Sequence, residues 1–84
     1  MKWEKQGEGE TWARPIKGGG RAVVLLNRSG QAHDISVTWE ALNYPNDLKA
    51  AVRDLWTHQD LPEAQREFTA HVAGHAIVMV TIMP

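Results

Sequence analysis

Cysteine is absent from this 84-residue sequence, which removes three possibilities at once: a disulfide framework, a thiolate zinc site and a thiol nucleophile. Charge of one sign is also missing, since nine Lys and Arg nearly balance ten Asp and Glu for a formal net charge of −1. With no basic stripe to follow a phosphate backbone, nucleic acid is not an expected partner. Long apolar runs are absent too. The longest, Ala76 to Met83, is interrupted by Thr81 and falls far short of the roughly 20 residues that span a bilayer. Met1-Lys2-Trp3-Glu4-Lys5 carries charges where a secretion signal needs an apolar core. A soluble chain without a signal peptide or membrane partner is therefore expected, in a compartment the sequence leaves open.

What is present reads as short strands. A domain of this size buries only about 60–65% of the surface its unfolded chain exposes, so nearly all large apolar side chains must share one core. Arg21 to Arg28 (RAVVLLNR) is β-branched and apolar on both faces, as a central strand requires. Before it, Glu10 to Ile16 (ETWARPI) carries Pro15, which cannot donate to a ladder and belongs at an edge or a strand end; Gly18-Gly19-Gly20 joins the two as a hairpin. Across His33 to Trp39, Ile35, Val37 and Trp39 alternate with Asp34, Ser36 and Thr38, so one face is buried and one wet. Asn43 to Asp47 is a cluster of turn formers, after which Ala50 to Trp56 has strand length. Thr57 to Gln65, with Pro62, reads as a loop, or more weakly as a helical turn capped at Asp60. Phe68, Ala70 and Val72 alternate with polar residues, Ala73-Gly74 turns the chain, and His75 to Met83 closes it as a hairpin partner. Six to eight short strands with regular turns indicate an all-β fold, an antiparallel β-sandwich with Greek-key-like connections in preference to a barrel. Val23, Leu25, Ile35, Val37, Val52, Phe68, Val78, Val80 and Ile82 form the expected core. Trp12, Trp39 and Trp56, in or at the ends of strands, are expected to pack into it, whereas Trp3 lies in a polar segment.

Each candidate for chemistry has a plainer structural explanation. His71 and His75 are spaced i, i+4, but a predicted turn separates them and Val72 stands where the zinc-protease motif has Glu. His58 and Asp60 lack the third and fourth ligands a metal needs. Glycoside hydrolysis requires two converging carboxyl groups; among Glu40, Asp54, Asp60 and Glu63 no pair stands out, and Asp54 within its strand reads as a hydrogen-bonded structural group. The three glycines lack the following helix of a phosphate cradle, and Ser29-Gly30 lacks a nucleophile elbow. No catalytic, cofactor-binding or metal-ligating residue is assigned.

Five segments together do point somewhere. Thr11-Trp12-Ala13-Arg14-Pro15, Arg21 to Arg28, Val37-Thr38-Trp39, Val52 to Trp56 and the Gly74-His75 turn before the final apolar strand resemble, in order and spacing, the C-terminal domain of glycoside hydrolase family 27. The resemblance covers 9–84 and departs from the family pattern at Pro62 and Ala73-Gly74. In these α-galactosidases and α-N-acetylgalactosaminidases a (β/α)8 barrel carries catalysis and an antiparallel β-sandwich follows it. The resemblance implies a non-catalytic accessory domain that packs against and stabilises such a barrel, with 1–8 as the junction and 9–84 as the sandwich. It also implies an apolar patch on the faces that would meet the barrel, Trp3 among them. A carbohydrate-binding module is the alternative, with Trp3, Trp12 or Tyr44 stacking on a galactoside.

Overall fold

The computed structural model describes residues 2–7 and 9–84, with the side chains of Lys2 and Gln6 left out. The described residues form eight strands: β1 (Lys2–Gln6), β2 (Gly9–Pro15), β3 (Arg21–Asn27), β4 (His33–Thr38), β5 (Lys49–Asp54), β6 (Gln59–Gln65), β7 (Glu67–Val72) and β8 (Ile77–Met83). They form a six-stranded sheet in the order β1-β2-β3-β8-β5-β6 and a two-stranded sheet β4-β7, with every pairing antiparallel. The chain crosses between the sheets after β3, β4, β6 and β7, which makes β3, β8 and β5 neighbours in space. The expected β-sandwich is present.

Alternation along the strands builds the core. Val23 and Leu25 of β3, Val52 of β5, and Val80 and Ile82 of β8 face Ile35 and Val37 of β4 and Val72 of β7. Two strands cannot cover six. The segment from Trp39 to Leu48 completes the cover by folding over the core: the Trp39 indole is fully buried and donates to the Leu48 carbonyl at 2.7 Å, and the Tyr44 amide returns to the Trp39 carbonyl at 2.8 Å. Asn27 ties the sheets together from within, its amide donating to the carbonyls of Gln31 (2.8 Å) and Val72 (2.9 Å) while its oxygen accepts from the Ser29 amide (2.9 Å). At the Gly18-Gly19-Gly20 hairpin a single 3-10 turn, Lys17–Gly19, places Gly18 at φ +80°, where a side chain would be strained. Gly74 serves a different need, because a Cβ there would come within 2.6 Å of the Gly30 backbone.

Four expectations are corrected. Residues 2–6, placed outside the sandwich by the expected boundary at residue 9, pair with β2 as its edge strand. Gln59–Gln65 is a strand and not a loop or helical turn. It tolerates Pro62 because it lies at the sheet edge, where a missing N–H leaves no neighbour unpaired. Ala50 pairs with Ala64 and Val52 with Leu61, so Pro62 and Glu63 together face Ala51 as a bulge. The last two strands are not a hairpin pair: β7 joins β4 and β8 lies between β3 and β5. β8 turns Val80 and Ile82 to the core and Ile77 and Met79 to the opposite face, whereas β7 turns only Phe68, Ala70 and Val72 inward from the thin sheet. Of the three tryptophans expected inside, only Trp39 is buried; Trp12 is 37% exposed and Trp56, on the turn after β5, is 67% exposed.

Candidate functional site

Because side chains alternate across a strand, residues 10, 12 and 14 of β2 leave the core and stand on the outer face of the large sheet. The register aligns them into rows. Trp3, Trp12, Val24 and Met79 form one, and Lys5, Glu10, Leu26 and Ile77 the next. On the other side run Arg14, Ala22, Thr81 and Arg53, the last paired with Asp60 at 3.0 Å. The result is an apolar centre with a charged margin, on which Trp3 is 48% and Ile77 45% exposed. Such a centre and rim are the anatomy of a protein-binding surface.

The aromatic corner of this face is fixed in place. Trp3 and Trp12 rings meet with centroids 6.0 Å apart at 53°, a tilted contact of the kind aromatic pairs favour. Beneath them Glu10 is almost fully buried; it accepts from the Trp3 indole N–H at 2.8 Å and pairs with the Arg28 guanidinium. A carboxylate withdrawn from water needs such partners. Between the Trp12 and Met79 ridges, Ala22 and Val24 leave a groove of about 580 Å³ of open space, also lined by Ala13 and Arg14. Arg14 has no carboxylate partner among the described residues.

Of the three aromatics singled out from sequence, Trp3 and Trp12 therefore come together and Tyr44 does not join them. Its ring packs edge-on against Trp39 at 6.0 Å, lies under the Arg21 guanidinium at 4.7 Å, and its hydroxyl donates to the Gly19 carbonyl at 2.6 Å. Burial pushes the Tyr44 phenol above its ordinary pKa of 10.0, with Arg21 opposing the shift. Tyr44 is bound up in holding the Trp39–Leu48 cover to the β2–β3 hairpin.

The polar candidates are dispersed. Asp54 accepts the amides of Trp56 (2.8 Å) and Thr57 (3.2 Å) and shapes the β5–β6 turn. His71 pairs with Asp34 at 2.8 Å on the outer face of the small sheet, while His75 occupies a turn at φ +56°. No group of three or more His, Asp or Glu side chains converges among the described residues, and no described helix is long and apolar enough to cross a membrane. Glu10, Arg14 and Ile77 were missed from sequence. The signal was available in RAVVLLNR, whose second apolar face implies that something apolar lies beyond the sheet.

Residues 6–82 match the family model described as the alpha galactosidase C-terminal beta sandwich domain. A curated alpha-galactosidase of Oryza sativa subsp. japonica is 33% identical over 75 residues, spanning 89% of this chain and 18% of its own length. Among solved structures, alpha-galactosidase I from Mortierella vinacea superposes with a TM-score of 0.86 at 24% identity, over 95% of this chain and 22% of that one. A GH27 β-L-arabinopyranosidase from Geobacillus stearothermophilus gives 0.87 at 21% identity, over 96% of this chain and 18% of that one. The chain thus spans about a fifth of the length of the relatives it matches.

Proposed function

The chain belongs to the family of alpha-galactosidase C-terminal β-sandwich domains, and we propose that it works as the accessory domain of an α-galactosidase-like glycosidase, packing on the catalytic barrel through the outer face of its large sheet. The observation that carries this reading is the Trp3–Trp12–Val24–Met79 row with Ile77 beside it, an apolar surface that water does not reward. Covering it would remove the exposed tryptophan and isoleucine surface from solvent, at about 25 cal/mol per Å² of apolar area, and so stabilise both units. The bond-breaking carboxylates belong to the barrel in this reading. The two solved relatives share the sandwich fold, one being an alpha-galactosidase and the other a β-L-arabinopyranosidase, which fits a domain that supports the barrel and does not choose its sugar.

The test is a fusion in which this chain follows the catalytic barrel of an α-galactosidase relative in place of that enzyme's own sandwich. One cooperative unfolding transition, with the barrel melting above its temperature when alone, is expected; two independent transitions would refute the docking role. The exposed Trp3–Trp12 pair also allows a second reading, in which the rings stack on a galactoside. Titrating the isolated chain with galactose, melibiose and a galactomannan while following tryptophan fluorescence separates the two, because only a sugar platform gives saturable change.

A further inference from the structure

We infer that the groove over Ala22 is a socket for one projecting apolar side chain of the catalytic unit, with Arg14 beside it to receive an acidic neighbour of that side chain. The inference rests on the docking role above and specifies how the face is read. Its shape follows from side-chain size in register. On β2 the ridge is Trp12, on β8 it is Met79, and between them β3 offers Val24 and then Ala22, the smallest side chain across the row that contains Arg14 and Thr81. A depression therefore opens where a larger residue on β3 would have made the sheet flat, walled by Trp12 and Met79 and open at Arg14.

Its electrostatics are one-sided. Arg53 is occupied by Asp60 and Arg28 by Glu10, but Arg14 at the groove has no carboxylate among the described residues. A guanidinium left over beside an apolar socket meets a planar anion best, through paired N–H donors. The catalytic unit fits as occupant because about four-fifths of the relatives' length lies outside the matched region. The groove lies between the apolar Trp12–Val24–Met79 row and the charged margin, so an apolar anchor and its acidic neighbour can be received side by side.

The barrel fusion with this chain tests it. Ala22→Phe fills the socket at a surface strand position that favours aromatics, and Arg14→Glu reverses the charge; Arg14→Lys keeps the charge, and Thr69→Arg on the small sheet is the control. Circular dichroism and the melting of the isolated variant chains establish that each folds. The readout is the half-life of hydrolytic activity at a temperature where the barrel alone inactivates. Ala22→Phe and Arg14→Glu should each shorten it about tenfold, the scale of losing one interface anchor, with Arg14→Lys intermediate and Thr69→Arg unchanged. If Trp12→Ser shortens the half-life while Ala22→Phe and Arg14→Glu leave it unchanged, docking by this face stands and the socket is refuted. If the unsubstituted fusion gains nothing over the barrel alone, both the docking role and the socket fall.

Discussion

The two outer faces of the sandwich obey the same alternation rule and end in opposite chemistry. Beyond the small sheet stand Asp34, Ser36 and Thr38 opposite His71, Thr69 and Glu67, with hydrogen bonds of 2.7 Å between Ser36 and Thr69 and 2.8 Å between Asp34 and His71. The Thr38 hydroxyl accepts the Ala41 amide at 3.2 Å, so this face uses its polar groups for cross-strand and local hydrogen bonds. Beyond the large sheet stand two tryptophans, Val24, Leu26, Met79 and Ile77. A domain that worked alone in water would gain nothing from that asymmetry. In the proposed reading, the small sheet faces solvent and the large sheet faces a partner.

The contrast depends on a shared core that holds the faces apart, and the largest effect should come from removing its plug. Trp39→Ala should destabilise the isolated chain by about 3–5 kcal/mol in denaturant unfolding, most of the stability of a domain this small, whereas Trp56→Ala on its exposed turn should stay within about 0.5 kcal/mol. Similar losses for the two would mean that the fold is not centred on Trp39. Next comes the tie between the sheets. Asn27→Ala leaves the Ser29 amide and the Val72 carbonyl without their partner and should lower stability by about 2 kcal/mol, with faster amide exchange along β4 and β7.

A smaller effect of opposite sign is expected beneath β1. The Thr11 hydroxyl is buried on the core side of β2 with no hydrogen-bond partner among the described residues, so the isosteric Thr11→Val should raise stability by about 1 kcal/mol. A loss on substitution would show that the hydroxyl is satisfied. The smallest effect is a pH dependence. Because the folded Tyr44 phenol lies above 10.0, the native state holds its proton longer than the unfolded chain. Its contribution is complete below about pH 10 and is lost as pH rises through the folded value. Tyr44→Phe should therefore flatten the fall in stability above pH 10, and phenolate absorbance of this only tyrosine gives the midpoint directly.

How much of this was legible in the sequence follows from what each strand buries. β3, β4 and β8 announce themselves because their side chains meet the core on one face or apolar surface on both. β6 gave no such signal: Leu61 and Ala64 are its only partly buried positions, and it is held by backbone ladder bonds, which any sequence can supply. β1 was hidden for the same reason, its place fixed by Trp3 resting on Trp12 and Glu10, a contact between residues that only the hairpin brings together. Trp12 and Trp56 were misplaced because size argues for burial while the alternation and the turn put them outside. An apolar patch was expected from family resemblance. The row that forms it here needed the register, since only pairing puts residues 3, 12, 24 and 79 side by side.

The asymmetry of the faces is tested most directly by oxidative footprinting of the isolated chain against the same chain joined to a catalytic barrel, read by mass spectrometry at each oxidisable side chain. Trp3, Trp12 and Met79 should become protected on joining, while Trp56 and His71 react as before. Protection falling on His71 and its neighbours, with Trp3 and Trp12 as reactive as in the isolated chain, would contradict the assignment of the large sheet to the partner.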